Sequence, residues 1–565
     1  MSATVRPSLA LPIGPLVPWL IGLFCLLYLV ALPIGYMAYD SLTDEGVTLE
    51  AYREFFADAK LRAAMRNTLL VATGVAVLSV LVGAPLAFGV ARTDMRGKGI
   101  VGATMIVSLV SPDFLLAMAY IALAGPNVGY LNLALRNVFD LQTTSGPLDI
   151  FTLWGLILTA LPHGVAYVFL TLTPALRNVD PALEEAARVQ GAGPLATLRD
   201  VTLPLMRPAL LSGALLAFAG SLAMFGPPHM LRLHVLTISI RESLIRLDFK
   251  GASAASMVLI AMSLVALAVY RHSTRQAERF RTVGGKSFGG RAEASGLVGH
   301  AFAALGLIYV LAALVVPYGG MFVVSLMKTV GHGFEAGNWS LDNYRAVFAD
   351  PAVRAAAKLS IGLAAGAATT VVALGFLVAY VVSRTKLPMR GLLDGLATVP
   401  LAVPGTALAI ALVVIYLNPP LNALGFYGSF GILFVAYATR FVTFGVRTSQ
   451  SALIQLSPEF EEASRVAGAR GLTTVALITV PMMRATLLYT WLLVFVLALP
   501  ELGASIVLKG IHTQTLSTVL LDVWNGNGGL AQACAFGITM FVSVAAILAL
   551  AALISRKTDA SEPKT

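Results

Sequence analysis

Long apolar runs alternate with short polar segments along nearly the whole chain. The first set lies at 16–38, 69–90, 101–124, 150–172, 208–225 and 252–270, each near the roughly 20 residues that a helix needs to cross a bilayer core. A basic, glycine-rich stretch at 271–291 follows, and a second set lies at 303–326, 361–382, 392–416, 429–446, 485–500 and 531–554. The pattern predicts an all-α polytopic membrane protein with about twelve transmembrane helices in two sets of six. An even number of spans per set makes the two repeats parallel, related by an axis along the membrane normal, with a pore expected between them. The division that follows is a first repeat at 1–270, a cytoplasmic linker at 271–298 and a second repeat at 299–565. The first run is longer than a signal-peptide core and lacks a clear cleavage site, so it is expected to stay as a span.

Composition sharpens this picture in one respect: 57% hydrophobic and 12% charged residues leave no stretch for a large soluble domain. The net charge of +10 would suggest nucleic acid in a soluble chain. Here the basic residues fall in alternate loops instead. Arg6, the trio Arg92, Arg96 and Lys98, the 271–291 stretch and Arg556-Lys557 all fall on one side, which predicts both termini in the cytoplasm. Cys25 and Cys534 sit in apolar runs at opposite ends and are expected to be packing residues, with no disulfide framework and no metal motif. The GGKS at 284–287 is a decoy, because Phe280 stands where a phosphate-binding loop needs its first glycine and no strand precedes it.

One polar insert occurs twice. Residues 183–204 read LEEAARVQGAGPLATLRDVTLP and residues 460–481 read FEEASRVAGARGLTTVALITVP. Glu185 and Glu462, Gly191 and Gly468, and Pro204 and Pro481 share one separation of 277 residues (462 − 185). Asp180-Pro181 and Ser457-Pro458 suit a helix start, with acids in the first turn where the helix dipole favours them. Glu184 with Arg188, and Glu461 with Arg465, are spaced to pair along a helix. Ala187 and Gly191 leave a side of the helix with little bulk, and Gly191 and Gly468 suit a left-handed helix end. Other anchors repeat at 292 (341 − 49): LEAYREFFAD at 49 with LDNYRAVFAD at 341, Arg92-Thr93 with Arg384-Thr385, and Pro112 with Pro404. The second half is therefore shorter by 15 residues (292 − 277), lost from the external loop where NPPLNALGFYG replaces a longer segment.

The doubled E-A-[AS]-x-x-x-G insert with its downstream proline resembles the cytoplasmic coupling loop of permeases in ATP-binding-cassette importers. Over nearly its whole length the chain is similar to the fused, duplicated permeases of the type I importer class. Ser111-Pro112-Asp113-Phe114, Ala124-Gly125-Pro126-Asn127 and Phe225-Gly226-Pro227-Pro228 resemble the ferric-iron permeases within it. Fused permeases for thiamine and for 2-aminoethylphosphonate share the architecture. The resemblance implies a bacterial inner-membrane transport subunit, not an enzyme, served by two ATPase subunits and an external substrate-binding protein. It implies no cofactor on this chain, with ATP used by the partner. The residues carried over to ATPase coupling are Glu184, Glu185, Ala186, Ala187, Gly191, Pro204, Glu461, Glu462, Ala463, Ser464, Gly468 and Pro481.

Asp113, His163, Arg440 and Glu501 are the candidates for the substrate path, since charges within spans are costly and face a cavity or a partner. His163 and Arg440 correspond at 277, whereas Met224-Phe225-Gly226 stands where the second half has Glu501-Leu502-Gly503, so the substrate site is not expected to be two-fold symmetric. Arg440 could also reach the cytoplasmic headgroups, two helical turns away near Arg447. An ion-coupled secondary transporter would use Asp113, Glu501 and Asp522, read as the only acids in or near spans, but leaves the paired inserts without a purpose. A membrane-embedded enzyme lacks a catalytic or metal constellation among seven histidines and two cysteines.

Overall fold

The computed structural model describes residues 13–44, 46–278, 296–385, 387, 389–526 and 529–560. Arg6, most of the expected linker and the GGKS segment lie outside them. Within them the regular structure is helical apart from a two-residue antiparallel pairing of Thr43–Asp44 with Gly46–Val47 and a single bridge between Met327 and Trp339. Nine continuous helices among the described residues are long and apolar enough to cross a membrane, and counting each of three bent pairs as one span gives up to twelve.

In chain order, spans one to six are Leu16–Leu42, Ala59–Arg92, the pair Lys98–Val110 and Asp113–Ala124, Leu153–Arg177, Leu195–Leu222 and Phe249–His272. Spans seven to twelve are Gly296–Ser325, Pro351–Arg384, the pair Arg390–Ala402 and Gly405–Leu417, Phe430–Gln455, the pair Gly471–Met482 and Arg484–Ala498, and Gly529–Leu550. The expected run at 271–291 is helical in its first part, because the helix of span six continues to Glu278. The segment between spans five and six also carries two short helices, Gly226–Met230 and Leu236–Ile245.

Spans three and nine, each read as one apolar run, are sharply broken, by 105° and 111°. The cause is local. Pro112 and Pro404 cannot continue a helix, and they hold Ser111 and Val403 in extended conformations. Hydropathy sees an uninterrupted apolar run across each break. Span eleven is bent by 71° at Met483, where its counterpart, span five, is continuous.

Proline shapes four more places more gently. The helix widens to a π turn at Leu27–Ala31, Leu198–Thr202, Leu311–Val315 and Val475–Thr479. Pro33, Pro204, Pro317 and Pro481 follow these turns. Each proline lacks the N–H that the carbonyl four residues earlier would accept. In span one that carbonyl belongs to Leu29, and it accepts a bond from Thr439 Oγ1 of span ten at 3.1 Å. In span seven the Ala312 carbonyl, five residues before Pro317, accepts from Tyr120 of span three at 2.9 Å.

These bonds mark a crossover. Span one packs along spans eight and nine of the other repeat, and span seven packs on spans two and three. Two further hydroxyl pairs, Tyr28 with Tyr416 and Ser111 with Tyr318, join the repeats. The deepest packing within each repeat is span two on span four and span eight on span ten. At the second of these crossings Gly375 meets Gly445 backbone to backbone: a Cβ on Gly375 would lie 2.6 Å from the Gly445 Cα. The large apolar side chains left exposed, such as Phe24, Leu81, Val265 and Ile308, lie on spans, where lipid would cover them.

Candidate functional site

The first polar insert forms the helix Pro181–Val189 and the second forms Glu459–Val466. Asp180 caps the first by accepting from the Ala182 N–H at 2.9 Å. In the second copy Ser457 accepts more weakly, from Glu459 at 3.4 Å, and the helix begins at Glu459. Both helices end as the glycines require, with φ of +88° at Gly191 and at Gly468.

The buried member of each acid pair is Glu184 or Glu461, not its neighbour. Glu184 Oε1 lies 3.2 Å from Arg92 Nη2 and accepts from Thr202 Oγ1 at 2.9 Å. Glu461 accepts from Thr479 Oγ1 and Tyr380 Oη, both at 3.1 Å, with Arg384 Nε at 3.6 Å. Arg465, the partner expected from helical spacing, is 4.0 Å away. A carboxylate out of water needs charged and hydrogen-bonding partners, and the ends of spans two and eight bring Arg92 and Arg384 to these two. Each of these helices is thereby tied to two spans, through the arginine that ends span two or eight and the threonine in the π turn of span five or eleven.

The opposite side of each helix is free of the fold. Glu185, Ala186, Glu462 and Ala463 are exposed, Ala187 and Ser464 are half-buried, and Ser464 Oγ lies 3.0 Å from Thr474 Oγ1. Pro204 and Pro481 are exposed just after the π turns. Val189 and Val466 are 89% and 91% exposed, and Leu195 and Leu472 extend the same apolar surface. Gly191 and Gly468 meet no atoms within 4 Å of a notional Cβ. Arg92, Thr202, Tyr380, Arg384 and Thr479 were missed in the sequence, although the repeated Arg-Thr pair at 92 and 384 was a usable signal.

The four path candidates come together where the broken spans meet. Asp113 opens the second piece of span three, within electrostatic reach of His163, Arg440 and Glu501. The His163 ring N–H donates from Nε2 to the Ser111 carbonyl at 2.8 Å, just before the break. Glu501 is 6% exposed and accepts from Ala504 N at 2.8 Å, Ser505 N at 3.1 Å and Ser505 Oγ at 2.8 Å, so it caps the short helix Ser505–Leu508. Arg440 Nε is 3.9 Å from Glu501 Oε1, so Arg440 turns to this acid and not to the headgroups. The segments after spans five and eleven touch here: a Cβ on Gly226 would lie 2.6 Å from Phe114 Cβ, 3.2 Å from Leu502 Cδ2 and 3.4 Å from Asp113 Oδ1.

Asp522 stands apart, bonded to Lys509 at 2.8 Å. The reading of acids in spans also omitted Asp394 of span nine, which bonds Arg447 at 2.8 Å and Gln450 at 2.9 Å. Among the described residues no three of His, Cys, Asp or Glu gather in a way that could hold a metal ion.

Residues 79–279 match the family model described as binding-protein-dependent transport system inner membrane component. The ferric transport system permease protein FbpB of Actinobacillus pleuropneumoniae is 27% identical over 501 residues, covering 85% of this chain and 69% of that protein. The molybdenum transport system permease protein ModB of Azotobacter vinelandii is 32% identical over 166 residues, covering 29% of this chain and 70% of that protein. A solved bacterial ABC transporter involved in alginate import overlays with a TM-score of 0.34 at 15% identity, over 43% of this chain and 87% of that one. With the family match across the first insert, and relatives at these identities on a fold of up to twelve spans, the chain belongs to the binding-protein-dependent transport system inner membrane components, as a fused permease of an ATP-binding-cassette importer.

Proposed function

We propose that this permease imports ferric iron across a bacterial inner membrane, receiving it from an external binding protein and depending on two separate ATPase subunits. The observation that carries the reading is the charge at the crossing of the broken spans, where Asp113 and Glu501 face one guanidinium, that of Arg440. With His163 counted as neutral the formal balance is negative, and a cation in transit is favoured there. The similarity to a ferric permease over 85% of the chain names the cation.

The two ATPase subunits dock on the exposed surfaces of the coupling helices, around Glu185, Val189 and Leu195 in one repeat and Glu462, Val466 and Leu472 in the other. Closure of the ATPase dimer on ATP draws the helices together. Through Glu184 and Glu461 that motion reaches the ends of spans two and eight and the starts of spans five and eleven. The path opens outward, and hydrolysis resets it inward. The chain is divided as 1–270, 271–298 and 299–565, with both termini cytoplasmic. It binds no cofactor of its own.

Uptake of labelled ferric iron by cells lacking this gene, complemented with the wild type or Asp113→Asn, tests the reading. The wild type restores uptake, and the variant lowers it while still co-purifying with the ATPase in mild detergent. Iron uptake that is equal with and without the gene would sink the proposal. A second reading, import of 2-aminoethylphosphonate, draws on Arg440, which sets a guanidinium near the Asp113 carboxylate as a zwitterion would require. Labelled aminoethylphosphonate in the same cells separates the two.

A further inference from the structure

The repeats differ at one pair of matching positions in a way that changes the chemistry of the path. Asp113 and Gly405 are each the first helical residue after a proline break, 292 residues apart (405 − 113). In the first repeat this position carries a carboxylate. In the second it carries no side chain, and the space is taken: a Cβ on Gly405 would overlap Arg440 Nη1 and lie 3.2 Å from Glu501 Oε1. Around the axis between the repeats, one half therefore presents an anion where the other presents a cation.

Arg440 is held loosely for an arginine in a span. Among the described residues its one ionic contact is the 3.9 Å approach to Glu501, whose oxygens are already taken up by Ala504 and Ser505. Its side chain is 28% exposed. Arg447, two turns along the same helix, is locked by Asp394 at 2.8 Å and Gln450 at 2.7 Å. An arginine stays charged at any relevant pH.

We propose that Arg440 is a specificity-determining residue: a tethered counter-cation, seated in the space that glycine leaves at position 405, which a cationic substrate must displace to reach Asp113. Between turnovers the guanidinium neutralises the site. A singly charged ion gains too little from the two carboxylates to move it, whereas attraction grows in proportion to the charge of the incoming cation. Once the substrate has arrived, the displaced guanidinium repels it and favours release.

The inference rests on the reading that the cargo is a cation, and the test uses terbium(III), a hard trivalent probe, so that it does not depend on iron transport. Terbium binding to the purified permease–ATPase complex is followed by tyrosine-sensitised luminescence, since Tyr437 bonds Ser505 at 2.8 Å and Tyr167 lies near Asp113 and Arg440. Arg440→Gln should bind terbium at least about tenfold more tightly than the wild type. Arg440→Lys should stay close to the wild type. Gly405→Ala keeps every charge but unseats the guanidinium, and should tighten binding as Arg440→Gln does. Adding Asp113→Asn to either should remove the gain. If neither Arg440→Gln nor Gly405→Ala tightens binding, or if the gain survives Asp113→Asn, the proposal is overturned. Where Arg440→Gln fails to assemble, Gly405→Ala decides. A wild type that imports no iron but follows this terbium pattern would end the iron reading and leave the role of Arg440 standing.

Discussion

Removing the Glu184 carboxylate tests how the coupling helix is held. Its side chain is 8% exposed and that of Arg92 is 6% exposed, 3.2 Å apart, with Thr202 Oγ1 donating to the same oxygen. Glu184→Ala leaves a buried guanidinium without its counter-charge, and breaking a buried pair in this way costs roughly 3–5 kcal/mol. Replacing both partners by apolar residues, Glu184→Met with Arg92→Met, removes the orphaned charge and should recover most of that loss. Glu185→Ala, one residue away but exposed, should change stability by no more than about 0.5 kcal/mol.

Unfolding of the purified protein in detergent, read beside capture of the ATPase and its stimulated hydrolysis, separates the roles. Glu184→Ala should lose stability and coupling together. Glu185→Ala should keep its stability and lose part of the ATPase capture. The double apolar variant should be stable yet poorly coupled, because the tie to span two is gone. The reasoning fails if Glu184→Ala stays within about 0.5 kcal/mol of the wild type, or if the double variant is no more stable than the single one. The second copy sets a finer expectation. Glu461 has an extra donor, Tyr380 Oη at 3.1 Å, where the first repeat has Phe88, so Glu461→Ala should unsettle its helix at least as much.

Gly375→Ala pushes a methyl group into the backbone of span ten and should cost about 1–3 kcal/mol; Gly362→Ala on the same helix, with open space around it, should be neutral in the same melt. Gly226→Ala crowds Phe114 and Leu502 where the two repeats touch, so substrate import should fall while ATPase capture persists; normal import would show that this contact does not need a glycine. A cysteine placed within 279–295 should resist an impermeant thiol reagent applied to intact cells; labelling from outside would refute the cytoplasmic linker.

How far the sequence could be read follows from what hydropathy measures. The nine continuous spans were legible, and so were the bent pairs at 98–124 and 390–417, each read as one apolar run; of the pair at 471–498 only the second piece was read as a span. The bends were not, since a proline in an apolar window changes direction without changing transfer energy. Pro112 and Pro404 were noticed as a repeated pair, but only as anchors of the repeat and not as breaks of 105° and 111°. The coupling glycines were legible because a positive φ favours one residue type. The tie of Glu184 to Arg92 was not: the two are far apart in sequence, and Arg92 is brought near by the packing of a distant span. Asp394 escaped notice because its carboxylate is matched by Arg447, 53 residues on, so neither residue reads as paired from local sequence.

The comparison of repeats carries one more step. At the coupling ends three matched partners are identical, Arg92 with Arg384, Glu184 with Glu461 and Thr202 with Thr479, with Tyr380 in place of Phe88 as one added donor. At the crossing of the broken spans they differ: Asp113 with Gly405, His163 with Arg440, Met224 with Glu501. The physical demands at the two places explain the contrast. Two equal pulls applied to two helices need equal tethers, because an unequal one would yield first and waste the stroke. A single substrate on the axis between the repeats meets both halves at once and gains nothing from having them alike. With both repeats in one polypeptide, a change at Asp113 need not appear at Gly405, so the centre can become dipolar while the tethers stay matched. The expectation can be measured: exchanging the coupling helices 181–191 and 458–468 between repeats should leave import nearly intact, whereas the paired exchange Asp113→Gly with Gly405→Asp should abolish it, since the new carboxylate has no room beside Arg440.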